Sequence, residues 1–398
     1  MHRLNPSRIV RARRLRAMAL GLAVLGVASA ASAQSNTPSV FTLSTGGDFV
    51  NSYSVAPDGS LTLAGTAATG DAPQSLALSP DGQVLAVASG TQSNTVEDIF
   101  FYQVQSDGSL SFLSNQLVPD SPQGMEWADN NTLVINATQI GPTFVNSYNY
   151  DRTLRQLQPR DSFGAGTFAF SSTYANGVYF TETSFQSPAN SIVSRLVDSN
   201  GQFSGGDEIL IGSGSEFVVD LDITSDGRFF YGPGGISGST SDLLFAFSAD
   251  ANGNMSAVQT LATGYRAPAE VAISADDSTL FMTNNGTSAN SSSLVAFDID
   301  PNTGELTYRT EFVLGDRGDA NEIDTLPGFV FHLDGIGQDD TRGLEVIRIN
   351  ADGTLTGLGT TASQTGNTFN ALVTWQPIPE PTFVAPLALL GLALRRRR

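Results

Sequence analysis

The chain has 398 residues, among them 40 glycines and 24 phenylalanines, with no cysteine and no lysine. The absence of cysteine excludes disulfides and thiolate metal sites. A formal charge of −19 argues against nucleic acid as a partner, because such a surface repels a polyanion. Ten of the 20 arginines sit at the two ends, and without them ten basic residues stand against 39 acidic ones, a balance of −29. That predicts a solvated acidic surface and leaves cation binding open.

In chain order, residues 1–33 read as a secretory leader. Six arginines, from Arg3 to Arg16, precede an apolar run at 17–28, and Ala31-Ser32-Ala33 supplies the small residues that signal peptidase requires. The run is short for a membrane span, so removal after Ala33 is expected. Arg13-Arg14 leaves a twin-arginine route open beside the general secretory one.

Residues 34–377 are expected to form one domain built from repeats. An alternating apolar strand, a turn of Asp or Asn with Gly, and a second short strand recur seven times. The second turn residues are Gly59, Gly108, Arg152, Gly201, Gly253, Gly304 and Gly353, at separations of 49, 44, 49, 52, 51 and 49 residues. Asp-Gly and Asn-Gly supply the positive φ that tight hairpins need, and Arg152 is the deviation.

Between the hairpins lies a second unit, clearest at 73–88, which adds two strands to each period. Four strands repeated seven times predict an all-β, seven-bladed β-propeller. Single leftover strands at 40–44 and 369–375 are expected to pair and close the ring. The blade after Glu322 reads as the least regular, with a poor first strand and 329–333 as its second.

Residues 378–398 form a tail: Pro379-Glu380-Pro381, a largely apolar stretch at 382–394, then Arg395 to Arg398. These three parts, in this order, resemble the PEP-CTERM sorting signal of bacteria. That resemblance implies recognition and cleavage by an exosortase-type enzyme near Pro379, Glu380 and Pro381. Thirteen residues at ~1.5 Å rise reach about 20 Å, short of a hydrocarbon core of about 30 Å, so the segment would hold only transiently in a membrane. A simple tail anchor is the alternative. Together the two ends predict export to the cell surface or extracellular matrix of a bacterium.

The stretches 267–274, Leu280-Phe281-Met282-Thr283-Asn284-Asn285-Gly286 and 295–306 resemble the lactonase family of propellers, which includes 6-phosphogluconolactonase. The resemblance is strongest in that blade and loose over about residues 39–376. It implies catalytic roles for Glu182 and Glu270 and binding roles for Asn284 and, as a substitute anion binder, Arg266. Thr167 stands where the family carries histidine and Asn285 where it carries arginine, so the chain departs from the family at its proton-transfer and anion-binding positions.

His332 is the one histidine beyond the leader, which leaves any Ser-His-Asp site hanging on a single residue. Asp298, Asp300 and Asn302 mimic calcium-ligand spacing but coincide with a hairpin turn. The acidic loop containing Asp316, Asp319, Glu322 and Asp324, with Asp334, Asp339 and Asp340, is the best cation candidate, against a solvated loop. No cofactor is expected.

The leading expectation is a non-catalytic surface or matrix protein that presents a polysaccharide or small-molecule site. The alternative is a secreted lactone hydrolase using Glu182 or Glu270 as general base.

Overall fold

A computed structural model of the chain describes residues 37–44, 47–90, 96–119, 121–138, 143–166, 169, 171–183, 190–236, 242–265, 267–284, 292–315, 320–334, 343–362 and 369–377. Among these residues every regular element is a β-strand, gathered into seven antiparallel sheets. The leader, Ala33, the tail with Pro379, Glu380 and Pro381, and Arg266 lie outside the described residues.

Each sheet is a blade with four strand positions, filled from the inside out in sequence order in blades two to seven; the outermost position of blade four is split between Phe203–Ser204 and Glu208–Leu210, and the innermost of blade five is likewise split. The innermost strands of blades two to seven are Pro73–Leu78, Ser121–Trp127, Ser172–Ala175, Glu216–Val218 continued by Asp222–Ile223, Pro268–Ile273 and Ala320–Leu326. Blade one is composite: Phe369–Trp375 is its innermost strand and pairs antiparallel with Ser39–Ser44, from Ser39 opposite Trp375 to Ser44 opposite Phe369. The expected closure is therefore observed. The innermost strands touch their neighbours in cyclic order, blade one meeting both blade two and blade seven.

The hydrophobic core explains why the repeats must stack. Among the described residues there are seven clusters of buried apolar side chains, each shared by two adjacent blades. Phe101 of blade two, for example, stacks on Tyr150 of blade three at 4.2 Å, with Trp127 edge-on to both. Second strands such as Val84–Ser89 and Thr279–Asn284 are buried along their whole length, whereas outer strands such as Leu61–Ala68 expose alternate residues. An isolated blade would leave both faces wet.

The hairpin glycines have a second role besides their turns. Ser52, Ser147 and Ser194 each donate a side-chain hydrogen bond to the carbonyl of the next blade's turn glycine: Gly108, Gly201 and Gly253. Periodic turns thus also fasten neighbouring blades.

Two expectations need correction. The third hairpin does not turn on Arg152. It is a longer loop in which the Arg155 amide bonds the Asp151 carbonyl and Arg155 takes the positive φ of 57°, freeing Arg152 to reach Asp81 of blade two at 2.7 Å. Blade seven is not irregular either. Ala320–Leu326 is a full strand paired with Phe329–Asp334, and it contains Glu322 and Asp324, which the sequence had suggested lie in an acidic loop.

Candidate functional site in the axial cavity

All seven innermost strands contribute to a central cavity of about 340 Å³. Its polar lining includes Gln74 and Gln123, Glu126 of blade three, Asp220 of blade five, Glu270 of blade six and Glu322 of blade seven. Side chains alternate along a strand, so every second residue of an inner strand faces the axis. Asp220, just before the short strand Asp222–Ile223, and Glu322 face the cavity, and Asp222 and Asp324 follow two residues later on the amides of the next blade.

Four of the inner strands begin with a register shift, between Pro73 and Ser75, Pro122 and Gly124, Pro268 and Val271, and Ala320 and Glu322. Such bulges re-aim side chains. Here they turn Glu270 and Glu322 toward the axis, and the amide of Gln123 donates to Gln74 at 2.9 Å across two blades.

Backbone amides of the next blade hold several of the carboxylates. Asp220 accepts the N–H of Val271 at 2.9 Å, Asp222 that of Ile273 at 2.7 Å and Asp324 that of Thr374 at 2.7 Å. Ser171 of blade four donates its hydroxyl to Asp220 at 3.0 Å, and its amide lies 3.3 Å from Glu182. Asp220 also lies close enough to the Glu270 carboxyl to raise its proton affinity. The result is a polar relay, Glu182 to Ser171 to Asp220 to Glu270, with Glu270 on the cavity and Glu182 fully buried behind it.

Crowding of like charge in a desolvated space favours protonated carboxyls. Burial, reinforced by Asp222 and Asp220, pushes Glu126 up to about 8. Burial also raises Asp222 to about 8, against the pull of the Ile273 and Ile223 amides. Glu270 is raised well above the ordinary range by burial, then by Asp220 and Glu322; Glu322 is raised by burial, Asp220 and Asp324; burial raises Asp324 as well. Glu270 is only half-buried as a whole residue because it fronts the cavity, but protein encloses its carboxyl on the other sides.

Of the residues singled out from sequence, Glu182 and Glu270 are brought together. Asn284 is buried at the end of its strand, bonds Ser293 at 3.3 Å and takes no part in the relay. His332 is 1% exposed, with Glu345 at 3.8 Å, and is closed off from any substrate. Asp300 accepts the amides of Asn302 and Thr303, as turn chemistry requires, and Asp298 pairs with Arg309. Glu126, Asp220, Asp222 and Ser171 were not singled out from sequence. Glu126 and Asp222 sit on inner strands, while Ser171 and Asp220 sit on the segments just before such strands, and no local motif marks any of them.

Among the described residues no group of three or more His, Asp or Glu is spaced to hold a metal ion. A larger groove of about 680 Å³ opens between blades six and seven, beside Asp298 and Arg309. There Asp298 and Arg309 pair with each other, and Asp276 and Asp352 are held in turns by Ser274, Ser278 and Thr354, whereas the axial cavity concentrates carboxyls whose protonation is shifted upward, so the axial cavity is the stronger candidate.

Comparison with known proteins agrees with this architecture. Residues 195–318 match the family described as lactonase, 7-bladed beta-propeller. No curated protein sequence matches the chain. A proposed 6-phosphogluconolactonase of Bacteroides uniformis superposes with a TM-score of 0.70 at 15% identity, covering 85% of this chain and 100% of its own. The periplasmic gluconolactonase of Pseudomonas aeruginosa gives 0.67 at 18% identity, covering 86% and 99%. A protein of unknown function from Desulfotomaculum acetoxidans gives 0.67 at 15%, covering 86% and 100%. At these identities the superpositions establish the fold alone, a seven-bladed β-propeller, and the likeness to the lactonase family extends over residues 195–318.

Proposed function

We propose that the chain is a lactone hydrolase whose acid–base machinery is the Asp220–Glu270 carboxyl pair in the axial cavity. The observation that carries this reading is the juxtaposition of these two side chains on the cavity wall, where burial and then Asp220 raise Glu270 well above the ordinary carboxyl range. Such a pair holds one proton and can both accept and donate. As water attacks the lactone carbonyl carbon, Asp220 takes a proton from it. As the ring C–O bond breaks, Glu270 gives its proton to the departing ring oxygen. The hydroxy acid leaves, and transfer of the proton from Asp220 to Glu270 restores the pair. Ser171 orients Asp220, and Glu182 orients Ser171, so Glu182 is a positioning residue here. The lactonase match over 195–318 supports the reaction class.

The setting of the reaction is part of the same proposal. The arginine-rich leader ending at Ala33 and the Pro379-Glu380-Pro381 tail support export and sorting to a bacterial surface by an exosortase-type enzyme.

A panel of sugar lactones assayed with the full-length protein tests the reaction. Turnover above the spontaneous rate, removed by Glu270→Gln and by Asp220→Asn in folded protein, is the expected result. A folded protein inert toward the whole panel would return the axial cavity to the reading of a non-catalytic binding site for polysaccharide or a small molecule.

A further inference from the structure

We propose that the axial cavity admits uncharged lactones, excludes anionic ones and expels the acid formed from them. This rests on the lactone-hydrolase reading above and adds the charge of the substrate and the direction of product release. Four carboxyl residues, Glu126, Asp220, Glu270 and Glu322, line the cavity from four blades, and Asp222 and Asp324 lie buried close behind them on amides of the next blade. No arginine is among the described residues that line the cavity. A phosphorylated or carboxylated substrate would bring further negative charge into an enclosed space that already disfavours its own.

An uncharged sugar lactone brings no such charge. Its hydroxyls meet the side-chain amides of Gln74 and Gln123 and the hydroxyls of Ser75 and Ser172, groups that both donate and accept hydrogen bonds. Hydrolysis then changes the sign of the interaction. Water adds across the ring C–O bond, and the new carboxyl, with an ordinary pKa of about 3.5, ionises at neutral pH. The product is thus an anion in an enclosed, carboxyl-lined cavity, and the same cost of confining negative charge that rejects anionic substrates favours its departure.

The test compares glucono-1,5-lactone with its 6-phosphate on the full-length protein, with gluconate as added product. The neutral lactone should show a kcat/KM at least about 100-fold higher, and gluconate far above KM should leave the rate unchanged. Raising the ionic strength from about 0.02 to 0.5 M should narrow the ratio, since exposed parts of the field are screened. Glu322→Gln, which keeps the side chain's shape but removes one ionisable carboxyl from the cavity wall, should narrow it as well. Equal or better turnover of the phosphate, or competitive inhibition by gluconate near KM, would overturn the selection while leaving the reaction class standing. If neither lactone is hydrolysed the reaction class fails, and calorimetric binding of gluconolactam and its 6-phosphate still decides the selection. Binding of the neutral lactam alone upholds it; equal binding, or none, ends it.

Discussion

The backbone N–H of Ile273 lies 2.7 Å from Oδ2 of Asp222, 51 residues earlier in the chain and one blade away. The other oxygen of Asp222 accepts its neighbour Ile223 at 2.7 Å, so one side chain satisfies amides of two blades. Removing it leaves buried donors without acceptors. Asp222→Ala should cost about 2–4 kcal/mol in urea unfolding near pH 6, whereas Asp222→Asn, which keeps an acceptor, should cost less than half as much. Equal losses would mean that these bonds do not join the blades.

Ring closure depends on a close approach at Gly82. It holds φ at +65°, and a Cβ there would lie 2.3 Å from the indole of Trp375, the last residue of the closing strand. Gly82→Ala should therefore destabilise by about 2–4 kcal/mol. Gly264, at φ +74° with nothing within 4 Å, isolates the backbone effect, and Gly264→Ala should cost about 1 kcal/mol. Thermal or denaturant unfolding of the two variants side by side checks the difference.

The fold was legible in sequence because its signals are local. Gly59, Gly108 and Gly353 mark turns that depend on a few neighbouring residues, and leftover strands at both ends point to closure by themselves. The third hairpin was misread because a longer loop puts the positive φ on Arg155, where no glycine marks it. The site was less legible because its members are far apart in sequence and meet only when the ring closes. Glu322 and Asp324 looked like a solvated loop because Asn321, Glu322 and Asp324 outnumber the apolar residues around Ile323; the strand has one face toward the axis and the other toward the blade interface. Glu182 and Glu270 were found through family resemblance, but their connection through Ser171 and Asp220 is a contact between blades that no local motif encodes.

The pH dependence of stability should bear the mark of the axial carboxyls. Glu126 and Asp222 titrate near 8 in the folded chain, raised from 4.5 and 3.8. Over that interval the folded chain keeps protons the unfolded chain has released, so stability falls as pH rises. The contribution is full below about pH 4 and lost through about pH 8, and for Glu126 it is on the order of 4 kcal/mol. Scanning calorimetry between about pH 5 and pH 9 should show Tm declining, and Glu126→Gln should flatten the decline. A Tm that rises with pH over this range would contradict the placement of these groups.

Within the polar relay, substitutions should grade by distance from the cavity. Asp220→Asn and Glu270→Gln should each reduce kcat/KM on a sugar lactone by at least about 100-fold, the usual loss for an acid or base. Glu182→Gln, acting through Ser171, should reduce kcat by about 10-fold with KM little changed. A larger loss from Glu182 than from Glu270 would place the chemistry one layer further from the axis.

The pH profile of kcat/KM for glucono-1,5-lactone, corrected for spontaneous hydrolysis and recorded for the wild type and Glu270→Gln, tests the acid–base claim most directly. Two ionisation limbs in the wild type, with a rate reduced at least about 100-fold and the high-pH limb lost in the variant, are what a one-proton carboxyl pair produces. A folded Glu270→Gln protein with the wild-type rate and profile would contradict it.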